Sequence, residues 1–145
     1  MFVFFIFDLS LRYKKLLMKE MGFLDAIKSV VVDNYANFSG RARRSEYWFF
    51  VLANILFGII SGILGVVVPG FMLIVNIVGL ALIIPSLAVC VRRLHDIGKS
   101  GWFYLLSFIP LIGQILIIIW FCQDSQPGEN KWGANPKEWG ANPKE

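Results

Sequence analysis

The chain has 145 residues, of which 57% are hydrophobic and 17% charged, with a formal net charge of +4 and a mean hydropathy of +0.63. A water-soluble domain is ordinarily about 45–50% apolar and about 25% charged, so this composition excludes an ordinary soluble globule. The distribution of charge is more telling than its amount: from Tyr47 to Val68, from Phe71 to Val91 and from Trp102 to Cys122 there is no Asp, Glu, Lys or Arg.

In chain order, the opening MFVFFIFDLSL is too short to span a bilayer, carries Asp8 and has no basic region before it. It fits neither a secretory signal nor a membrane helix. Met18 and Met21 are both suitable starts, so residues 1–20 read as an N-terminal extension that an over-long gene assignment would produce. From Met21 onward, Phe23, Leu24, Ile27, Val30 and Val31 recur at helical spacing, with Asp25, Lys28 and Asp33 elsewhere on the wheel. This predicts an amphipathic helix that lies on the membrane surface or packs on a neighbouring element. Ser39-Gly40 reads as a turn, with Ser39 placed to cap a helix beginning at Arg41.

The three charge-free blocks each reach the roughly 20 residues that a helix needs to cross about 30 Å of hydrocarbon. Backbone amides left unpaired in lipid cost several kcal/mol, so such blocks are helical. The expected fold is an all-α integral membrane protein with three transmembrane helices, at about 47–68, 71–91 and 102–122, preceded by the amphipathic interfacial helix. Pro69-Gly70 leaves almost no loop and makes the first two spans a tight hairpin. Tyr47, Trp48, Trp102, Tyr104, Trp120 and Phe121 mark interfaces, where amphipathic rings favour the headgroup level.

Eight Lys and Arg residues precede the first span, the tight turn has none, the hinge after the second span has Arg92, Arg93 and Lys99, and the tail has Lys131, Lys137 and Lys144. The positive-inside rule then puts the N-terminus and hinge in the cytoplasm and the tail outside. A competing arrangement has Pro110 and Gly113 break the third block into a re-entrant pair that returns the tail to the cytoplasm. The block's 21 residues are too few for two crossings, which favours the simple three-span topology. Cys90 and Cys122 then stand most of a bilayer apart, too far for a disulfide, and read as small packing residues. The tail is rich in turn formers and repeats WGANPKE at 132–138 and 139–145. A structured cap is expected for the first copy, and disorder for the second.

Three stretches carry a resemblance: NFSGRARRSEYWFF at 37–50, LAVCVRRLHDIGKSGW at 87–102, and IPLIGQILIIIWFCQDSQPGENKWGANPKE from 109 onward. Together, in type, order and spacing, they resemble the DUF805 family of small bacterial inner-membrane proteins, over residues 21–138. The resemblance implies a multi-pass protein of the cytoplasmic membrane and no particular activity. The first 20 residues and the second WGANPKE depart from the family pattern.

The candidate sites centre on the charge-rich segments. Arg41, Arg43, Arg44, Arg92, Arg93 and Lys99 fall at one expected interface. Ordinarily such residues snorkel as topology determinants; as a site they suit anionic lipid headgroups or another phosphate, or a partner protein. Glu46 pairs across the hairpin with Arg92 or Arg93, and Asp96 with Arg43 or Arg44, in the expected arrangement. His95-Asp96 invites a general-base or pH-sensing reading, but adjacent helical residues do not face one another and no nucleophile motif accompanies them. Gly58, Ser61, Gly62 and Gly65 form a small-residue helix-packing face, within the chain or between copies in a homo-oligomer. The apolar blocks hold no charged relay, which weakens a coupled transporter. No catalytic constellation, cofactor motif, metal-ligand spacing or nucleic-acid signature is present. The expectation is a non-enzymatic accessory or binding protein that engages anionic lipid or a partner protein. A small oligomeric transporter or pore stands second, and an enzyme acting on lipid headgroups third.

Overall fold

A computed structural model describes residues 1–17 and 21–138. The second WGANPKE and Met18 lie outside the described residues. All named elements are helical: α1 (Phe2–Leu17), α2 (Phe23–Lys28) continuing into a π-helical turn (Ser29–Asp33), α3 (Arg44–Val67), α4 (Phe71–Asp96), a 3₁₀ helix (Gly101–Phe108) and α5 (Ile112–Cys122).

The all-α membrane architecture stands. α3 and α4, with 24 and 26 residues, are long and apolar enough to cross a bilayer. They carry lipid-type side chains such as Ile55, Ile59, Leu73 and Leu80 on exposed faces. Gly70, at φ +79, turns the chain between them in three residues. Two of their internal polar groups bond within their own helix: Asn54 Nδ2 donates to the Phe50 carbonyl (2.9 Å), and Ser86 Oγ to that of Leu82 (2.6 Å). Pro85 lacks the N–H that would bond the carbonyl four residues back. That carbonyl, of Ala81, accepts from the Tyr35 hydroxyl at 2.5 Å instead.

The helix at the first span does not begin at Arg41. It starts at Arg44, and Arg43 is extended at ψ 162. The Ala42 N–H donates to the Arg92 carbonyl (3.0 Å), which draws residues 41–43 alongside the end of α4. Ser39 uses its own N–H on Asn37 Oδ1 (3.0 Å), so it closes a turn and caps no helix.

The third apolar block is not one straight helix. The 3₁₀ helix and α5 form a hairpin about a γ-turn at Leu111 (φ +63, ψ −69), where Ile112 N donates to the Pro110 carbonyl at 2.8 Å. Gly113 allows the return, because a Cβ there would run into the Leu106 carbonyl. Eight residues at about 2 Å each and eleven at about 1.5 Å each give two arms of roughly 16 Å, half a hydrocarbon core. The block is too short for two crossings yet long enough to enter and leave on one side.

The buried core lies at the charged end of α3 and α4. One cluster joins Val30, Ala42, Phe50 and Val89; the other joins Cys90, Leu94, Ile117 and Phe121, with Tyr47 against both. The amphipathic segment packs Ala26 and Val30 inward and Phe23 edge-on to Phe49 (6.0 Å), leaving Leu24 and Val32 exposed.

Candidate functional site

At the charged end, the side chains expected to reach toward headgroups are largely folded inward. Arg41, Arg92 and Arg93 are buried, and Asp96 and Glu46 are buried with them. The positions follow from local structure: Arg92, Arg93, His95 and Asp96 occupy the last turns of α4, where positive charge complements the helix dipole. Arg41 comes from the extended strand of chain alongside them.

Asp96 is the centre of one network. It accepts from Arg41 Nε (3.0 Å), Arg93 Nη1 (2.5 Å) and Ser125 Oγ (2.6 Å). Arg41 then spends its remaining donors on carbonyls of Asp96 (3.2 Å), Gln126 (2.6 Å), Gly128 (2.8 Å) and Gly133 (3.2 Å). Arg93 does the same with Phe121 (3.3 and 3.2 Å) and Gln123. The tail is therefore a structured cap, bound by two arginines that read its backbone.

Ser125 reaches Asp96 of the hinge, and Gln126, Gly128 and Gly133 reach Arg41 beside it, so tail and hinge lie at the same end of the α3–α4 pair. The chain comes back to that end because the third block folds into a hairpin. Cys122, whose carbonyl accepts from Arg44 Nη1 (3.3 Å), is likewise at the charged end. The expected ion pairs are corrected in part: Glu46 pairs with Arg92 (2.8 Å), one of its two expected partners, while Asp96 pairs with Arg41 and Arg93 rather than Arg43 or Arg44.

His95 and Asp96 face different neighbours. His95 Nδ1 lies 3.1 Å from the Gly40 carbonyl, and its ring stacks on Trp132 at 4.6 Å and 9°. Burial holds the imidazole pKa below its ordinary value, against the Gly40 contact and with help from Lys131. No Asp96–His95 couple exists for general-base chemistry. Lys99 sits over the Trp120 ring (4.4 Å), and Arg44 is exposed. The small-residue face divides: Ser61 is buried and Gly65 lies against Met72, whereas Gly58 and Gly62 meet nothing within 4 Å.

A cavity of about 640 Å³ opens beside this network, lined by Arg41, Arg43 and Arg92 together with Ser29, Asn34, Glu46 and Trp132. Glu46 Oε1 accepts from both Arg92 Nη1 (2.8 Å) and Ser29 Oγ (2.9 Å). Arg92 Nε and Nη2 are buried without a hydrogen-bond partner. These two nitrogens form one edge of the guanidinium plane, the fork that takes two oxygens of a phosphate or carboxylate.

Sequence reasoning missed Ser29, Tyr35, Ser125 and Trp132. Only Trp132 carried a signal, as an aromatic next to Lys131 in a turn-rich tail.

Residues 35–134 match the family model described as "Protein of unknown function (DUF805)". The chain is 44% identical over 112 residues to inner membrane protein YhaH of Escherichia coli (strain K12), covering 74% of this chain and 93% of that protein. It is 42% identical over 111 residues to inner membrane protein YhaI of the same strain, covering 74% and 92%. No solved structure matches the chain.

Proposed function

The chain belongs to the DUF805 family of inner-membrane proteins, and on that premise we propose that it is a non-enzymatic binding protein that holds a phosphate-bearing anion in the cavity beside Arg92. One observation carries this reading: the Nε–Nη2 edge of Arg92 is buried and unbonded in a residue that lines a polar cavity. A buried donor left unmade costs about 1–3 kcal/mol, and more when charged. An anion's oxygens offset that cost, while Glu46 keeps the opposite side of the guanidinium occupied. The lining charges favour an anion too, with Arg41, Arg43 and Arg92 against Asp33 and Glu46. By the positive-inside rule this end faces the cytoplasm, since the turn at Val68–Gly70 carries no Lys or Arg.

The test is a titration of the full-length protein, in phosphatidylcholine nanodiscs, with glycerol 3-phosphate. Arg92→Lys keeps a cation beside Glu46 and removes the fork. Saturable binding by wild type, weakened about tenfold or more in a folded Arg92→Lys variant, is the expected result. Equal binding by the two proteins, or none by wild type, rules the reading out.

A further inference from the structure

A second cavity, of about 530 Å³, shares Trp132 as a wall with the polar one and has the opposite character. Its lining includes Leu87 and Val91 of α4, Leu105 of the 3₁₀ helix and Phe38. Both volumes lie within the roughly 300–1,000 Å³ usual for small-molecule sites. Their relative depth is fixed by α4, which ends at Asp96 at the charged face. Val91 adjoins Arg92 in sequence, and Leu87 is five residues before it. At about 1.5 Å per residue, Leu87 sits some 7 Å deeper toward the apolar part of the helix. The groove thus begins near the level of the guanidinium fork and descends between α4 and the re-entrant hairpin. Trp132, stacked on His95, stands where polar and apolar cavities meet, and Trp102 is 80% exposed at the groove. Rings of this kind favour a boundary with one wet and one apolar side.

Resting on the anion-binding reading of the polar cavity, we infer that the ligand is a membrane amphiphile: its phosphate meets the Arg92 fork and its hydrocarbon chain lies in the groove lined by Leu87, Val91 and Leu105. A free phosphate uses only the first cavity. A phospholipid uses both, in the order in which a bilayer presents head and chain.

Two probes with one headgroup separate these sources: glycerol 3-phosphate, which has no chain, and oleoyl lysophosphatidic acid, which has one. Binding is measured to full-length protein in phosphatidylcholine nanodiscs, with empty nanodiscs correcting for partition. Wild type is expected to bind the lysophosphatidic acid at least tenfold more tightly than glycerol 3-phosphate. Leu105→Trp, at a side chain 55% exposed, fills the groove and should remove that advantage while leaving glycerol 3-phosphate binding unchanged. Leu87→Trp is the second groove variant should the first fail to fold. Arg92→Lys should weaken both probes. If folded groove variants keep the full chain advantage, or wild type shows none, the amphiphile inference is overturned and the headgroup reading survives. If Arg92→Lys binds both probes as wild type does, the underlying anion site itself is wrong.

Discussion

Asp96 brings one negative charge to two guanidinium groups, at 3.0 Å from Arg41 and 2.5 Å from Arg93, and all three side chains are almost wholly buried. The excess positive charge is met by oxygens: the Ser125 hydroxyl lies on the carboxylate, and carbonyls of residues 121 to 133 lie on the guanidinium groups. Removing one member of such a buried cluster strands the others, which ordinarily costs about 3–5 kcal/mol. Asp96→Asn is therefore expected to destabilise the protein by about that much and to free the tail from the hinge, since both arginines lose their shared anion. Unfolding in graded denaturant, with Trp132 as the only tryptophan retained, measures both effects. An unchanged midpoint would show that the carbonyls alone suffice. At this scale the sequence disclosed which residues are charged and that they converge, but not who pairs with whom. The shift from Arg43 or Arg44 to Arg41 arises because residues 41–43 are extended against α4. Extended chain advances about 3.3 Å per residue against about 1.5 Å in a helix, so a two-residue change of register moves a guanidinium to a different neighbour.

Elements were legible wherever one physical rule decided them. Length and the absence of charge sufficed for α3 and α4, and Pro69-Gly70 for the turn between them. For the third block the same length rule was ambiguous, because a segment of one-bilayer length fits either a single crossing or two half-crossings. The deciding details are local: Pro110 has no N–H, Leu111 adopts a positive φ, and Gly113 permits contact with the Leu106 backbone. Tyr35 shows a different limit, since nothing in a sequence predicts that a distant hydroxyl will satisfy the carbonyl left by Pro85. The hairpin makes a sharp contrast between glycines. Gly113→Ala should force α5 away from the 3₁₀ helix, break the edge-on contact of Phe103 with Trp120 (5.7 Å) and lower the thermal transition. Gly62→Ala, with open space around its position, should be neutral or stabilise α3 by up to about 1 kcal/mol. Thermal scans of the two variants in the same detergent give the comparison. A Gly113→Ala variant as stable as wild type would mean that the turn does not depend on the close approach.

At the scale of the whole molecule, the two ends of the α3–α4 hairpin are unequal. The end with Val68–Gly70 carries no Lys or Arg and exposes Val66 and Val67, whereas the other end gathers the core, the ion pairs, both cavities and the tail. The hairpin of the third block makes this asymmetry possible: by folding back, it delivers Ser125 to Asp96 and Trp132 to His95. A third full crossing would place the tail a bilayer away from Arg41, and the three tail-carbonyl contacts of that guanidinium, to Gln126, Gly128 and Gly133, would be lost. Cysteine accessibility distinguishes the two topologies directly. In a protein with Cys90 and Cys122 replaced by serine, single cysteines are introduced as Ser100→Cys, Glu129→Cys and Pro69→Cys, and intact cells are treated with a maleimide that cannot cross the inner membrane. Ser100→Cys and Glu129→Cys should both be protected until the membrane is opened, and Pro69→Cys should react from outside. Glu129 is exposed in the tail, so its protection would reflect the membrane rather than burial in the protein. Reaction of Glu129→Cys in intact cells alongside protection of Ser100→Cys would restore the three-crossing topology and separate the tail from the arginines that hold it. Reaction of both, with Pro69→Cys protected, would keep the fold and reverse its orientation, placing the anion cavity outside the cytoplasm.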